Sequence, residues 1–513
     1  MPQPKRAIKK PLVPVPVIPA ADEPREAGVD LADLKRKSVR GGAVTIVSQT
    51  INISIQLTAT VVLARLLSPD DYGIMAMVMV ITGFAGLFRD LGLSSAAIQK
   101  RDLNHALQSN LFWINVAMGT LLTLLVAAGS PLVAWFYGKP ELTSVTLVLS
   151  VTFLLGSLGT QHGARLVREM KFVRQATARI SGAIVGLTLS IILAFQGFSY
   201  WSLVWGNLSG SLTTTILLFF LSPFRPGLPS KGAGIRDMIK FGANVTAFDF
   251  VNYFHRNLDN ILIGRVIGAA ALGHYSRAYS LLMMPINMIR GPINTVGFPA
   301  LSKLQNNPQE YRIYSSRITA TIAFFSMPLV AFMGVSASWI IPLALGPGWE
   351  ESVEIFSILA VAAFLQPVSS MRGQVMLSMG NSGRYLRWGL VNAILTGLSF
   401  CIGIQWGVKG LAIAYAIANS AIFYPSICYA FAGTPVQIRD FLGPLKRPVV
   451  FSLTTAAALL VFDHFIEAGN LVSPLIHALV AVVFYGTVYL MLNLLTAGGR
   501  DDFKAALTML RRA

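Results

Sequence analysis

Six polar residues within one apolar stretch share a helical face. Thr246, Asp249, Asn252, Tyr253, Arg256 and Asn260 stand at −3, 0, +3, +4, +7 and +11 relative to Asp249, the spacing of a single stripe on an α-helix. About two hundred residues earlier, Thr45, Ser48, Gln49, Asn52 and Gln56 form a matching stripe. Neither stripe can face lipid, where each ionised group costs at least ~2.5–3.5 kcal/mol. They face protein or a wet cavity. Two readings stand: amides that tie helices together by interhelical hydrogen bonds, or the lining of a path for polar cargo. Arg256 can pair with Asp259 at i+3 or bond Asn252 and Asn260 at i±4. Asp249 has no cation at i±3 or i±4, which makes it the candidate for ion coupling.

Three more arginines, Arg89, Arg290 and Arg372, fall at a common depth in other apolar runs. They either snorkel to the nearer headgroups or converge on one site. A guanidinium pairs with phosphate through a bidentate fork, so a convergent set suits a di-anionic head group, with Arg256 at a second depth. Signals for catalysis are missing: no Walker loop, no His-Glu-x-x-His, no cysteine pair at zinc spacing and no Asp-x-Asp. Neither metal nor cofactor is expected.

The elements that carry these residues follow from composition. Only 12% of 513 residues are charged, AVILMFWYC make up 54%, and mean hydropathy is +0.61, values that exclude a disordered chain and an ordinary water-soluble enzyme. Apolar runs of about 20 residues, enough for a ~30 Å hydrocarbon core, recur at 43–66, 72–98, 107–135, 142–164, 180–196, 200–222, 241–266, 272–298, 317–343, 353–380, 385–405, 410–431, 448–466 and 474–496. Backbone groups in lipid must be satisfied within their own segment, so these are helices. The expected fold is an all-α integral membrane protein with about fourteen transmembrane helices.

The net charge of +18 does not point to nucleic acid, because the cations sort by face. With a cytoplasmic N-terminus, thirty-two of the 41 Lys and Arg fall on the inner side, five on the outer (Arg277 among them) and four inside helices. That bias places both termini in the cytoplasm. Outer loops run only to about nine residues, leaving no room for an external catalytic domain. Cys401 and Cys428 lie in apolar runs and read as buried hydrophobes. The expected organisation is a Pro-rich basic tail (1–40), an N-lobe of six helices (41–222), a linker (223–240), a C-lobe of six helices (241–431), two further helices (446–496) and a basic tail (497–513).

A shift of 200 residues superposes the two stripes. Gln49 falls on Asp249, Asn52 on Asn252, Gln56 on Arg256, Arg65 on Arg265 and Gly73 on Gly273, and with one insertion Arg89 meets Arg290. Repeats six helices apart start on the same membrane side, so they are parallel and related by an axis along the membrane normal. Twin bundles of this kind enclose a cavity suited to alternating access.

Several segments together resemble a known family. Arg40-Gly-Gly-Ala, Leu63-Ala-Arg-Leu-Leu-Ser-Pro-Asp-Asp-Tyr-Gly73, Arg89-Asp-Leu-Gly-Leu93, Arg168-Glu-Met-Lys-Phe172 and Asn257-Leu-Asp-Asn-Ile-Leu-Ile-Gly264 resemble the polysaccharide-transport family, the Wzx/WzxC-like flippases of the multidrug/oligosaccharidyl-lipid/polysaccharide exporter superfamily. The resemblance covers residues 38–495. It implies two six-helix lobes around a central cavity and movement of undecaprenyl-diphosphate-linked oligosaccharide from the inner to the outer leaflet of a bacterial inner membrane. Such a protein serves lipopolysaccharide, O-antigen or exopolysaccharide biosynthesis. Its expected partners are that lipid-linked substrate, membrane lipids, and the polymerase and glycosyltransferases of the same pathway. A lipid II-type flippase and a multidrug or cation antiporter of the same superfamily are the alternatives within transport. A membrane glycan-assembly enzyme or a scaffold is the alternative of another class.

Overall fold

The computed structural model describes residues 31–90, 92–94, 97, 104–230, 253–254, 256–469, 473–496, 498–500 and 503–504. Among them every regular element is helical. The chain runs α1 (Leu31–Ala64), α2 (Pro69–Asp90), α3 (His105–Ala128), α4 (Ser130–Tyr137), α5 (Glu141–Arg168), α6 (Phe172–Phe195), α7 (Trp201–Leu221), α8 (256–266), α9 (Ala269–Leu304), α10 (Pro308–Val335), α11 (Ala337–Leu345), α12 (Glu350–Phe364), α13 (Gln366–Ser378), α14 (Ser382–Gly403), α15 (Gly407–Phe431), α16 (Ile438–Leu442), α17 (Lys446–Gly469) and α18 (Pro474–Leu495). Eleven stretches of the described residues are long and apolar enough to cross a membrane. One of them, the 50-residue stretch Ser382–Phe431, turns back at Ile404–Trp406 into the α14–α15 hairpin. α9 has the length, 36 residues, but carries Arg277 and Arg290.

Two expected spans are each broken at the same place in their repeat. The span expected over 107–135 ends as α3 at Gly129, where Pro131 starts the short α4; proline lacks an N–H and suits a first turn. The span expected over 317–343 breaks at Ser336 into α10 and the short α11. α6 begins at Phe172, eight residues before the expected 180, which brings Arg179 inside the helix.

The repeat is visible as reciprocal contacts between α2 and α9, one helix from each half. A methyl group added at Gly73 would lie 1.8 Å from the Ala269 carbonyl oxygen, and one at Gly273 would lie 1.9 Å from the Pro69 carbonyl oxygen. The shift of 200 exchanges these two pairs, as a two-fold axis between the helices requires. Only glycine lets the backbones approach this closely. The flanking arginines cross reciprocally too: Arg65 Nη2 donates to the Leu343 carbonyl of α11 at 2.7 Å, and the Arg265 guanidinium lies 5.7 Å from the Phe136 ring centroid of α4. A continuous buried cluster joins both lobes here, from Leu63, Tyr72 and Ile74 to Tyr275, Leu282 and Trp349. This end of the molecule is sealed.

α17 and α18 pack on each other through Ala456, Leu459, Ala481 and Tyr485, and on Phe332 and Trp339 of α10 and α11. Tyr489 Oη donates to the Phe324 carbonyl of α10 at 3.0 Å.

Candidate functional site

A cavity of about 1080 Å³ lies below the seal. Its walls are α1, α2, α5, α6 and α7, with Asn257, Asn260 and Arg277 closing it from the other lobe. α6 and α7 can both reach this wall because they pack backbone to backbone: a methyl at Gly186 would sit 2.7 Å from the Gly206 carbonyl oxygen, the close approach that small residues at four-residue spacing allow in membranes. The wall therefore presents small and neutral polar groups such as Asn207, Ser211 and Thr214.

Its charged residues are Arg89, Arg179, Arg277 and Asp90. Asp90 is already engaged. Its carboxylate accepts from the backbone N–H of Ser94 at 3.1 Å, from the Ser94 hydroxyl, and from Asn115 Nδ2 at 3.2 Å, and Asn115 in turn accepts from Gln161 Nε2 at 2.9 Å. The three cations have no carboxylate partner among the described residues. Arg89 packs on Gly156, where a methyl would meet its Nη1 at 2.4 Å. The charged residues described on its wall are thus net positive.

Of the four expected arginines, Arg89 lines this cavity, and Arg256, Arg290 and Arg372 are not among its described lining residues. Arg256, Arg290 and Tyr279 lie within electrostatic range of one another. Arg89 belongs to the N-lobe wall. Arg372 donates from Nε to the Ser369 carbonyl of its own helix at 3.0 Å and neighbours Tyr385. The local pairing open to Arg256 is not made: Asp259 is buried and accepts from Tyr275 Oη at 2.9 Å and from the Asn260 N–H at 2.8 Å. Asp249 and Asn252 lie outside the described residues.

The neutral stripes divide as well. Asn52 donates to the Ser48 carbonyl of its own helix at 3.0 Å, while Gln49 and Gln56 are exposed. Tyr253 crosses to the other lobe, where its hydroxyl donates to the Val80 carbonyl at 2.6 Å beside Gly83, so it fastens α2. Asn260 does line the cavity. Sequence reasoning passed over Arg179, placed just before a helix start, and Arg277, counted as an outer-loop cation. Arg277 lies two turns inside α9. The repeat carried a signal for it, since the shift of 200 sets Arg277 against the apolar Met77.

A family model described as polysaccharide biosynthesis protein matches residues 62–354, the stretch that holds the Gly73–Ala269 contact and most of the cavity wall. The chain belongs to that family. Among curated relatives of this polysaccharide biosynthesis protein, the lipopolysaccharide biosynthesis protein WzxC of Escherichia coli is 24% identical over 427 residues, covering 82% of this chain and 85% of the relative. The teichuronic acid biosynthesis protein TuaB of Bacillus subtilis is 25% identical over 435 residues, covering 84% and 90%. Of solved structures, the lipid II flippase MurJ in an inward closed conformation superposes with a TM-score of 0.71 at 15% identity, covering 88% of this chain and 98% of that one. An inward-facing multidrug transporter of the MATE family gives 0.58 at 17% identity, covering 78% and 95%. These neighbours are flippases and transporters, not catalysts. The chain is a multi-pass membrane protein with the fold they share.

Proposed function

We propose that this polysaccharide biosynthesis protein is a flippase that carries a diphosphate-linked oligosaccharide lipid across the bacterial inner membrane by alternating access. The observation that carries the reading is the charge described on the cavity wall: among the described residues, three arginines without carboxylate partners, one carboxylate fully engaged, and walls of small neutral polar groups. A cation antiporter needs free carboxylates in that place. An anionic head group with sugars attached fits what is there, since guanidinium forks match phosphate and the hydroxyl- and amide-bearing wall suits sugars. The relatives named for lipopolysaccharide and teichuronic acid biosynthesis agree in cargo class, and the lipid II flippase agrees in fold. In this reading the sealed end faces outward and both termini are cytoplasmic.

Deleting the gene tests it. Lipid-linked oligosaccharide should accumulate with its head group on the cytoplasmic leaflet while surface polysaccharide falls. Cells that keep normal surface glycan and become sensitive to cationic drugs would overturn the reading. Within the protein, Arg256→Gln should reach normal membrane levels and lose transport, with partial rescue by lysine, which keeps the charge but not the fork. Because Asp259 is held by Tyr275, Arg256→Gln/Asp259→Asn should be no more active than Arg256→Gln.

A further inference from the structure

The seal contains a cation with no carboxylate partner among the described residues. Arg277 of α9 lies over the ring of Tyr72 of α2, its guanidinium carbon 4.6 Å from the ring centroid. The Tyr72 ring also meets Trp349 edge-on at 5.5 Å, and Trp349 Nε1 donates to the Ala64 carbonyl at 2.9 Å. The stack therefore passes from one lobe to the other three times, and Tyr72 is its hub. Arg277 Nε is buried with no hydrogen-bond partner among the described residues. The nearest acidic residue in the chain to Tyr72, Asp71, is committed to the N–H of Ser68 at 2.8 Å, to the Ser68 hydroxyl at 2.7 Å and to Ser199. Arg277 also lines the cavity.

A guanidinium taken from water needs hydrogen-bonded counter-charge, and a ring face alone supplies little. An oxyanion arriving from the cavity supplies two charge-assisted hydrogen bonds. We propose that Arg277 is an oxyanion site at the sealed end of the cavity, and that an oxyanion bound there draws Arg277 off the Tyr72 ring and opens the seal. The proposal rests on the anionic-cargo reading above and adds to it the residue that reports arrival of the cargo. Arg89 at the opposite end of α2 is about 25 Å away along the helix at 1.5 Å per residue, so one phosphate cannot occupy both. The seal stays shut until the anion has crossed.

The test uses full-length protein in nanodiscs, with Cys401 and Cys428 replaced by alanine and spin labels on cysteines at Ser144 and Glu350, exposed positions of the two lobes near the seal. The interlabel distance is measured with no addition, with undecaprenyl diphosphate in the disc, and with inorganic pyrophosphate. The wild type should gain a longer-distance population with the lipid. The same response to pyrophosphate assigns the signal to the oxyanion itself, and a response to the lipid alone assigns it to a lipid-borne one. Arg277→Gln should lose the response, its distance distribution already holding the longer population and unchanged by either diphosphate. Tyr72→Phe, which keeps the ring, should behave as wild type, and Tyr72→Leu should show the longer population without any addition. An Arg277→Gln protein that responds as wild type does, or a Tyr72→Leu protein that stays closed, overturns the proposal. If native mass spectrometry finds the diphosphate lipid bound to wild type and the distance never changes, Arg277 is no sensor and the cargo reading survives. If neither diphosphate binds, both fall.

Discussion

Gly73→Ala tests the contact that closes the molecule. The added methyl would stand 1.8 Å from the Ala269 carbonyl oxygen, whereas ordinary contact begins at 3.4 Å, so α2 and α9 must part by about 1.6 Å. Both partners are helical backbone, so no side chain can swing aside to absorb the strain. Overpacking a tight interface costs about 1–3 kcal/mol. That cost falls on the sealed arrangement and not on one in which the helices have separated, so it moves the equilibrium between them by about 5–150-fold. The assay places a single cysteine at Ala76, on the cavity wall below the seal, in a protein free of Cys401 and Cys428. An impermeant thiol reagent is then applied outside spheroplasts. Labelling at Ala76 should rise with Gly73→Ala by a factor in that range, while a cysteine at exposed Ser68 reacts equally in both backgrounds. Gly273→Ala presses on Pro69 in the reciprocal way and should have a similar effect. The double variant should fall short of the product of the two, since both act on one pair of helices. Ala76 labelling unchanged by either substitution, at normal protein levels, refutes the two-fold seal.

Topology is checked by single cysteines: those at Ser68, Gly138, Gly348 and Gly469 should react with the same reagent from outside and those at Ser230 and Ser382 should not. The turn after α5 gives a pH prediction. Burial alone would raise the Glu169 carboxyl, but hydrogen bonds from Lys171 and Arg165, the latter at 2.5 Å, outweigh it and hold the pKa below the usual value. A depressed folded pKa stabilises above the unfolded value of about 4.3 and the gain is lost as pH falls through the folded one. The melting-temperature gap between wild type and Glu169→Gln should therefore be constant from about pH 6 to 8 and close below about pH 4. The start of the interlobe linker is strapped to α3 by Asn110, whose Nδ2 donates to the Ser230 carbonyl at 2.6 Å and whose Oδ1 accepts the Ser230 N–H at 2.8 Å. Asn110→Ala should speed protease cleavage between residues 222 and 230 several-fold without changing the membrane level of the protein.

Much of the architecture was legible because lipid removes alternatives. Apolar runs of membrane length have to be helices, and the repeat of Arg65, Gly73 and Arg89 at Arg265, Gly273 and Arg290 told of two related halves before any contact was known. The breaks that make α4 and α11 were missed because hydropathy continues across Gly129 and Ser336 while the backbone turns. Arg179 fell outside its helix for the converse reason: a charged first turn reads as loop, yet the helix continues and the side chain lines the cavity.

The sequence by itself determined the class, the helices and which residues are too polar for lipid, because burial in hydrocarbon is a property of each segment taken alone. Only the tertiary structure decided what those polar residues do. Asp259 could have neutralised Arg256 three positions away, but the packing of α9 on α8 brought Tyr275 to it instead. Tyr253, on the same stripe, was spent on the Val80 carbonyl of the other lobe. Gly73 and Gly273 matched in sequence, but that each would abut the other's repeat partner depends on where a two-fold axis falls between α2 and α9. Pairings between residues two hundred positions apart depend on how whole helices dock, and spacing along one helix carries no information about that.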